Sequence, residues 1–209
     1  MRDLDLPASA RMTPRAVPPG LRRFLDAAHA VDVRVYQAVA GTSTPQLDEP
    51  LRALSGAANY SRLSMAAAGL LALTGSRGRR AAVAGLASVA VTSATVNIVA
   101  KLATRRRRPA RADLGVFEAR HVPMPHSTSF PSGHSASGFA FAAGVAEAMP
   151  ALGIPLRGLA TAVAYSRVHS GVHYPGDVVV GSLVGMAVGE STVLASRAVR
   201  KRLPGRRPG

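Results

Sequence analysis

Between Arg80 and Lys101 the chain runs for 20 residues, Ala81–Ala100, without one charged side chain. A helix rises 1.5 Å per residue, so a run of that length spans the ~30 Å hydrocarbon core of a bilayer. A soluble helix of equal length normally turns one polar face to water. This run carries only Ser, Thr and Asn among its Ala, Val, Leu, Ile and Gly. Its many small residues suit close helix–helix packing in lipid. The expectation is an all-α, integral-membrane helical bundle rather than a soluble bundle with an Ala-rich core.

The other apolar blocks set the organisation. Met1–Gly20 has scattered charge, four prolines and no apolar core, so it predicts a flexible cytoplasmic-type tail and not a cleavable signal peptide. Leu21–Ala40 has helical character but carries Arg22, Arg23, Asp26, Asp32 and Arg34, which favours an amphipathic helix at the interface over a span. Gly41–Pro50 reads as a loop from its Gly, Ser, Thr, Pro and Asp. Ala57–Gly75 is mostly apolar, with Asn59 and Arg62 near its start. Lys101–Phe130 is polar, Arg-rich and broken by prolines, so it predicts a loop outside the hydrocarbon. Ser135–Met149, Leu156–Tyr165 and Val178–Val199 are apolar again, with a turn at Pro150–Pro155. The domain plan is a tail (1–20), a membrane domain (21–199) of about five to six spanning helices, and a basic C-terminal tail (200–209).

Composition narrows the chemistry. There is no Cys, which excludes disulfides and thiolate catalysis. The net charge of +15 is carried almost wholly by Arg and attracts polyanions, whether nucleic acid, anionic lipid or phosphorylated substrate. Charge alone does not choose among them.

Three polar clusters do, and each sits at the end of an apolar segment. The first runs Lys101-Leu-Ala-Thr-Arg-Arg-Arg-Arg108-Pro109. The second is Pro131-Ser132-Gly133-His134. The third starts at Ser166-Arg167 and continues to His173 and Asp177. Lys101, Arg108 and Arg167 are fixed cations; guanidinium groups grip phosphate oxygens in pairs, and Lys acts as a point charge. Ser132-Gly133-His134 precedes an apolar helix, whose start offers unpaired N–H groups to an anion. Ser132 also suits a helix N-cap. His134 and His173 are imidazoles suited to nucleophilic and acid–base work. Asp177 follows His173 by four residues, one turn if a helix begins near Pro175, which would let its carboxylate hold one ring nitrogen and free the other.

The pattern K-x6-R-P, P-S-G-H and S-R-x5-H-x3-D resembles the signature of the type 2 phosphatidic acid phosphatase superfamily. That superfamily includes bacterial acid phosphatases, lipid phosphate phosphatases and vanadium haloperoxidases. All three motifs match, from Lys101 to Asp177, and their order and spacing together are highly specific. The resemblance implies that Lys101, Arg108 and Arg167 bind phosphate, with Ser132 and Gly133 as donors to its oxygens. It implies His173 as nucleophile, Asp177 as its orienting partner and His134 as the acid that protonates the leaving group. It implies a lipid phosphate substrate and a membrane as partners, no nucleic acid, and no metal or other cofactor. The expected function is metal-independent hydrolysis of a phosphomonoester or pyrophosphate on a lipid carrier: phosphatidic acid, phosphatidylglycerophosphate or a polyprenyl-linked phosphate. The alternatives are a vanadium haloperoxidase-like oxidoreductase and a non-enzymatic basic membrane-surface or nucleic-acid-binding protein.

The remaining polar residues take ordinary readings. Arg105, Arg106 and Arg107 are expected at lipid headgroups or substrate. His29, His121, His126 and His169 read as structural. Asp113, Glu118, Glu147 and Glu190 read as solvated or packing charges, and Tyr174 as a shaper of the turn with Pro175. For the motifs to meet at one membrane face, Arg77–Arg80, Arg157 and the C-terminal tail must lie at the other. The positive-inside rule makes that other face cytoplasmic. A multi-pass protein of the cell membrane follows, its active site facing the periplasm or exterior.

Overall fold

The computed structural model describes residues 18–103, 106–111 and 115–202, with the side chains of 99–103 excepted. The Lys101 side chain, Arg105 and Asp113 therefore lie outside the described residues. Among these residues the regular structure is helical: α1 (Pro19–Gly41), α2 (Pro45–Ala57), α3 (Arg62–Ala72), α4 (Ser76–Ala103), α5 (Gly133–Ala148), α6 (Gly153–His169) and α7 (Pro175–Arg202). The chain divides into two compact units, Met1–Val31 and Asp32–Gly209, with the boundary inside α1. In the first unit residues 19–31 are helical and exposed, including Leu21, Phe24, Leu25 and Val31. All that follows concerns the second.

The expected loop at Gly41–Pro50 is shorter than its composition suggests, because α2 begins at Pro45. Proline in a first helical turn loses no hydrogen bond, since that N–H has no intrahelical partner. Thr44 precedes it, and its carbonyl accepts from Leu47 N and Asp48 N. The same residue types that signal a loop also start helices. Arg120 fixes this junction. It is fully buried and donates to Thr42 O (2.6 Å), Val39 O (3.1 Å) and Asp48 Oδ1 (2.8 Å), tying the end of α1 to the start of α2. His169 also meets this cluster, with Nε2 3.1 Å from Thr44 Oγ1 and 3.2 Å from Asp48 Oδ1, in keeping with its structural reading.

The apolar stretch from Ala57 is interrupted. A 3₁₀ turn at Asn59–Ser61 separates α2 from α3, with Tyr60 (φ 55°) and Ser61 (φ 56°) in the left-handed region. α3 then has 11 residues, roughly 17 Å by helical rise, about half the hydrocarbon thickness. Two described helices are long and apolar enough to cross a membrane, at Ser76–Ile98 and Pro175–Arg202. α4 continues through Lys101 to Ala103, so the polar loop begins later than the charge pattern suggests. α6 begins at Gly153, takes Pro155 into its first turn and runs on to His169, which places Ser166 and Arg167 on a helix.

α5 is the hub, packing against α4, α6 and α7. Glycine makes this closeness possible. On α7, a Cβ at Gly181 would lie 2.4 Å from Ser132 O, at Gly185 2.2 Å from Ala136 O, and at Gly189 2.9 Å from Ala140 Cα. On α5, a Cβ at Gly144 would lie 2.5 Å from Ala84 O of α4. Small residues four apart thus let three helix backbones touch, as packing in lipid favours. Around them lie two apolar clusters, one including Tyr36, Val168 and Tyr174, the other Ala81, Val89, Phe141 and Val145.

The two ends of this bundle differ in chemistry. At one end Arg77 Nε donates to Ala148 O at the C-terminus of α5 (2.7 Å), and Glu147 takes Arg197 (2.6 Å) and Arg200 (2.9 Å) of α7. Glu147 is therefore a pairing charge. The starts of α5 and α7 meet at the other end, where the second and third motifs lie. Gly185→Ala should lower stability by about 1–3 kcal/mol, the usual cost of overpacking, read as thermal unfolding in detergent. Gly158→Ala, which meets nothing within 4 Å, should not.

Candidate active site

Asp177 lies in the first turn of α7 and is wholly inaccessible to solvent. A carboxylate there must be fully bonded or it would be too costly to keep charged. Oδ1 accepts from Arg106 Nη1 (2.8 Å), and Oδ2 accepts from Ser129 Oγ (2.5 Å) and from Tyr174 N (2.9 Å). Arg106 is held in turn by Asp32, which accepts from Arg106 Nη2 (2.6 Å) and from Gly176 N (2.6 Å). The Arg106 guanidinium also sits 4.4 Å above the Tyr174 ring. This corrects the sequence expectation: Arg106 serves two internal carboxylates instead of headgroups, and Tyr174 is a packing surface as well as part of a turn.

His173 stands in the short connection from α6 to α7, 2 % exposed. Nδ1 lies 3.6 Å from Asp177 Oδ2, longer than a hydrogen bond but in line with the spacing argument. Such contacts commonly tighten when substrate binds. Nε2 is 3.1 Å from Arg108 Nη1. A guanidinium can only donate, so Nε2 must accept, and the ring proton sits on Nδ1, toward Asp177. Burial is the main force pulling the His173 pKa from 6.5 down to about 4; Arg108 and Arg167 add to it and Asp177 opposes it. The imidazole is neutral near pH 7, with its lone pair on the side of Arg108.

The second motif is joined to this group through the backbone. Ser132 N donates to the main-chain carbonyl of Asp177 (2.9 Å), which holds the start of α5 against the start of α7. Ser132 Oγ faces Ser135, whose N lies 3.5 Å and Oγ 3.0 Å away, so Ser132 is the N-cap of α5. Gly133 and His134 line a cavity of about 360 Å³ together with Arg108, His173, Ser137 and, from α4, Ser93 and Asn97. His134 Nε2 lies 3.0 Å from Asn59 Oδ1.

Of the three expected cations, two are described. Arg108 lines the cavity and donates to Val172 O (2.8 Å), Ser127 O (3.0 Å) and Ser127 Oγ (3.0 Å), which fixes its plane beside His173. Arg167 is fully buried on α6; Nη1 donates to Ser55 O and Oγ, each 2.8 Å away, while Nε and Nη2 have no partner among the described residues. Buried polar groups are nearly always bonded, so a guanidinium with two spare donors at such a place suits an anion.

Residues 81–201 match the family model of the PAP2 superfamily. The chain belongs to that superfamily. This PAP2 chain is 38% identical over 155 residues to the decaprenylphosphoryl-5-phosphoribose phosphatase of Mycolicibacterium smegmatis, covering 73% of this chain and 79% of that protein. Its fold is shared with the crystal structure of Aquifex aeolicus LpxE, with TM-score 0.64, 22% identity, and coverage of 78% of this chain and 95% of that one. It is shared too with a transmembrane PAP2-type phosphatidylglycerolphosphate phosphatase from Bacillus subtilis, with TM-score 0.62, 19% identity, and coverage of 87% and 90%. Two helices of this PAP2 chain, at Ser76–Ile98 and Pro175–Arg202, are long and apolar enough to cross a membrane.

Among the polar residues at the site that the motif reading missed, Asp32, Asn59, Arg106 and Ser129 bond to motif side chains or to their partners. Only Asp32 leaves a periodic trace in the sequence, because Asp32, Tyr36 and Ala40 recur every four residues as the buried stripe of α1. Arg106→Leu would strand two carboxylates. It should cost about 3 kcal/mol of stability, as breaking one side of a buried ion pair does, measured by thermal unfolding against wild type.

Proposed function

We propose that the chain is a multi-pass membrane phosphatase that hydrolyses a phosphomonoester on a lipid carrier through a phosphohistidine at His173. The preferred substrate is a sugar phosphate attached to a polyprenyl phosphate. The observation that carries the mechanism is the neutral His173, with Nε2 turned toward Arg108 and the cavity and Asp177 behind Nδ1. The named activity of the mycolicibacterial relative supports the polyprenyl-linked sugar.

In this reading Nε2 of His173 attacks phosphorus and forms a P–N bond as the bond to the leaving oxygen breaks. His134 supplies the proton that this oxygen needs to depart as an alcohol. Water then gives a proton back to His134 as its oxygen attacks phosphorus, the P–N bond breaks, inorganic phosphate leaves and both histidines are restored. Asp177 holds the proton-bearing Nδ1 and steadies the positive charge that grows on the ring. Arg108, Arg167 and Lys101 bind the non-bridging oxygens, and the Gly133 backbone at the start of α5 adds a donor surface. Ser132 supports that turn as its cap. Phosphoryl transfer depends on such positioning and charge neutralisation.

The catalytic domain is residues 21–199, between the tails 1–20 and 200–209. The site opens to the periplasm or exterior, because Arg77, Arg197 and Arg200 gather at the opposite end of the helices.

Detergent-purified protein should release phosphate from a phosphorylated polyprenyl sugar in the presence of EDTA, and His173→Ala should abolish this. Release from none of phosphatidic acid, phosphatidylglycerophosphate, polyprenyl pyrophosphate and the polyprenyl sugar would refute the reading. Asp177→Asn should lower kcat by roughly 10²–10⁴-fold, as loss of the orienting carboxylate does in histidine-based sites. Phosphorylation of His173 by an aryl phosphate should persist as pH falls from about 7 to about 5. It should be lost only near the His173 pKa of about 4, because the ring attacks in its neutral form.

A further inference from the structure

His134 and His173 line the same cavity, and each is backed by a different group. Behind His173 stands a carboxylate. Behind His134 stands an amide: Asn59 Oδ1, 3.0 Å from His134 Nε2. Asn59 comes from the turn between α2 and α3, far in sequence from all three motifs. We infer that Asn59 is the positioning residue of His134, fixing which ring nitrogen faces the leaving group. The inference rests on the phosphohistidine reading above.

The local backbone is shaped for this contact. Tyr60 and Ser61 both adopt left-handed conformations, which side chains with a Cβ rarely take. Two such residues in succession break what would otherwise be one helix from α2 into α3. The break brings Asn59 to the first turn of α5, while Ala58, Tyr60 and Ser61 line the cavity.

An amide oxygen only accepts hydrogen bonds, so with Oδ1 toward the ring Nε2 carries the proton. Nδ1 is then the nitrogen left to serve the substrate. In the imidazolium form Nε2–H stays on Asn59 and Nδ1–H goes to the departing oxygen. The ring ends neutral, in the tautomer that Asn59 holds. A neutral partner suits an acid. A carboxylate in the same place would stabilise the imidazolium and make it a poorer proton donor, whereas the nucleophile gains from a carboxylate. The difference between Asn59 and Asp177 thus matches the different tasks of the two histidines.

The test compares leaving groups. Purified full-length wild type, Asn59→Ala and Asn59→Asp are assayed for kcat/KM on two substrates, which reports the steps up to the phosphohistidine. One is the lipid phosphomonoester that wild type hydrolyses best, whose alkoxide must be protonated to leave. The other is p-nitrophenyl phosphate, whose leaving group is stable as an anion. Asn59→Ala should lose roughly 10²-fold on the lipid, the scale of a general-acid contribution, and stay within about threefold on the aryl ester. Asn59→Asp keeps an acceptor oxygen in place, but its charge makes His134 the weaker acid, so it should regain only part of the loss on the lipid. Equal losses on both substrates, no loss on either, or no recovery with Asp would each overturn the inference. A wild type inactive on both substrates would instead overturn the phosphatase reading on which it rests.

Discussion

Asp177 keeps a carboxylate where no water reaches it, and much of the site is arranged around that charge. Both oxygens are bonded, by an arginine, a hydroxyl and a backbone N–H. Arg106 donates its other nitrogen to Asp32, which ties α1 to the same cluster. The main-chain carbonyl of the same residue takes Ser132 N and pins the start of α5. One residue therefore links α1, the loop after α4, the turn before α5 and the start of α7. Removing Arg106 would leave this buried charge without its counter-ion.

The helices can meet at that point because their backbones come unusually near. Between helices immersed in lipid there is no hydrophobic gain from contact, so shape and hydrogen bonding decide association. The three glycines of α7 and Gly144 of α5 remove the side chains that would hold the helices apart. Hydrophobic side chains then do not need to interlock in depth. Most of the long ones, such as Leu86, Ile98, Leu183 and Leu194, point outward instead, as befits a surface in contact with acyl chains.

A division of labour follows between motif and scaffold. On the cavity wall, Arg108, Pro131, Gly133, His134 and His173 belong to the motifs. Those that set their charge and orientation include Asp32, Asn59, Arg106 and Ser129, spread over 98 positions from Asp32 to Ser129. Neutral His173 illustrates the result: burial drives it toward the uncharged form, and the arginines that would bind phosphate push in the same direction.

The sequence by itself determined what short spacing and long apolar runs encode. The 20-residue uncharged run of Ala81–Ala100 announced a helix of membrane-crossing length, and it lies within α4. The order of the three motifs was enough to identify the superfamily, and the start of α7 at Pro175 was legible from the step between His173 and Asp177. Contacts between distant segments were not legible. Nothing near Arg106 distinguishes it from Arg105 or Arg107, because its role depends on two carboxylates 74 and 71 residues away. The break at Tyr60–Ser61 leaves no glycine or proline as a sign. The start of α2 was hidden because Thr, Pro and Asp serve loops and helix starts alike. Local pattern reports which residues prefer helix and which can do chemistry. Only the tertiary structure decides which of many equivalent charges is paired, because pairing is set by what the packed helices bring within a few ångströms.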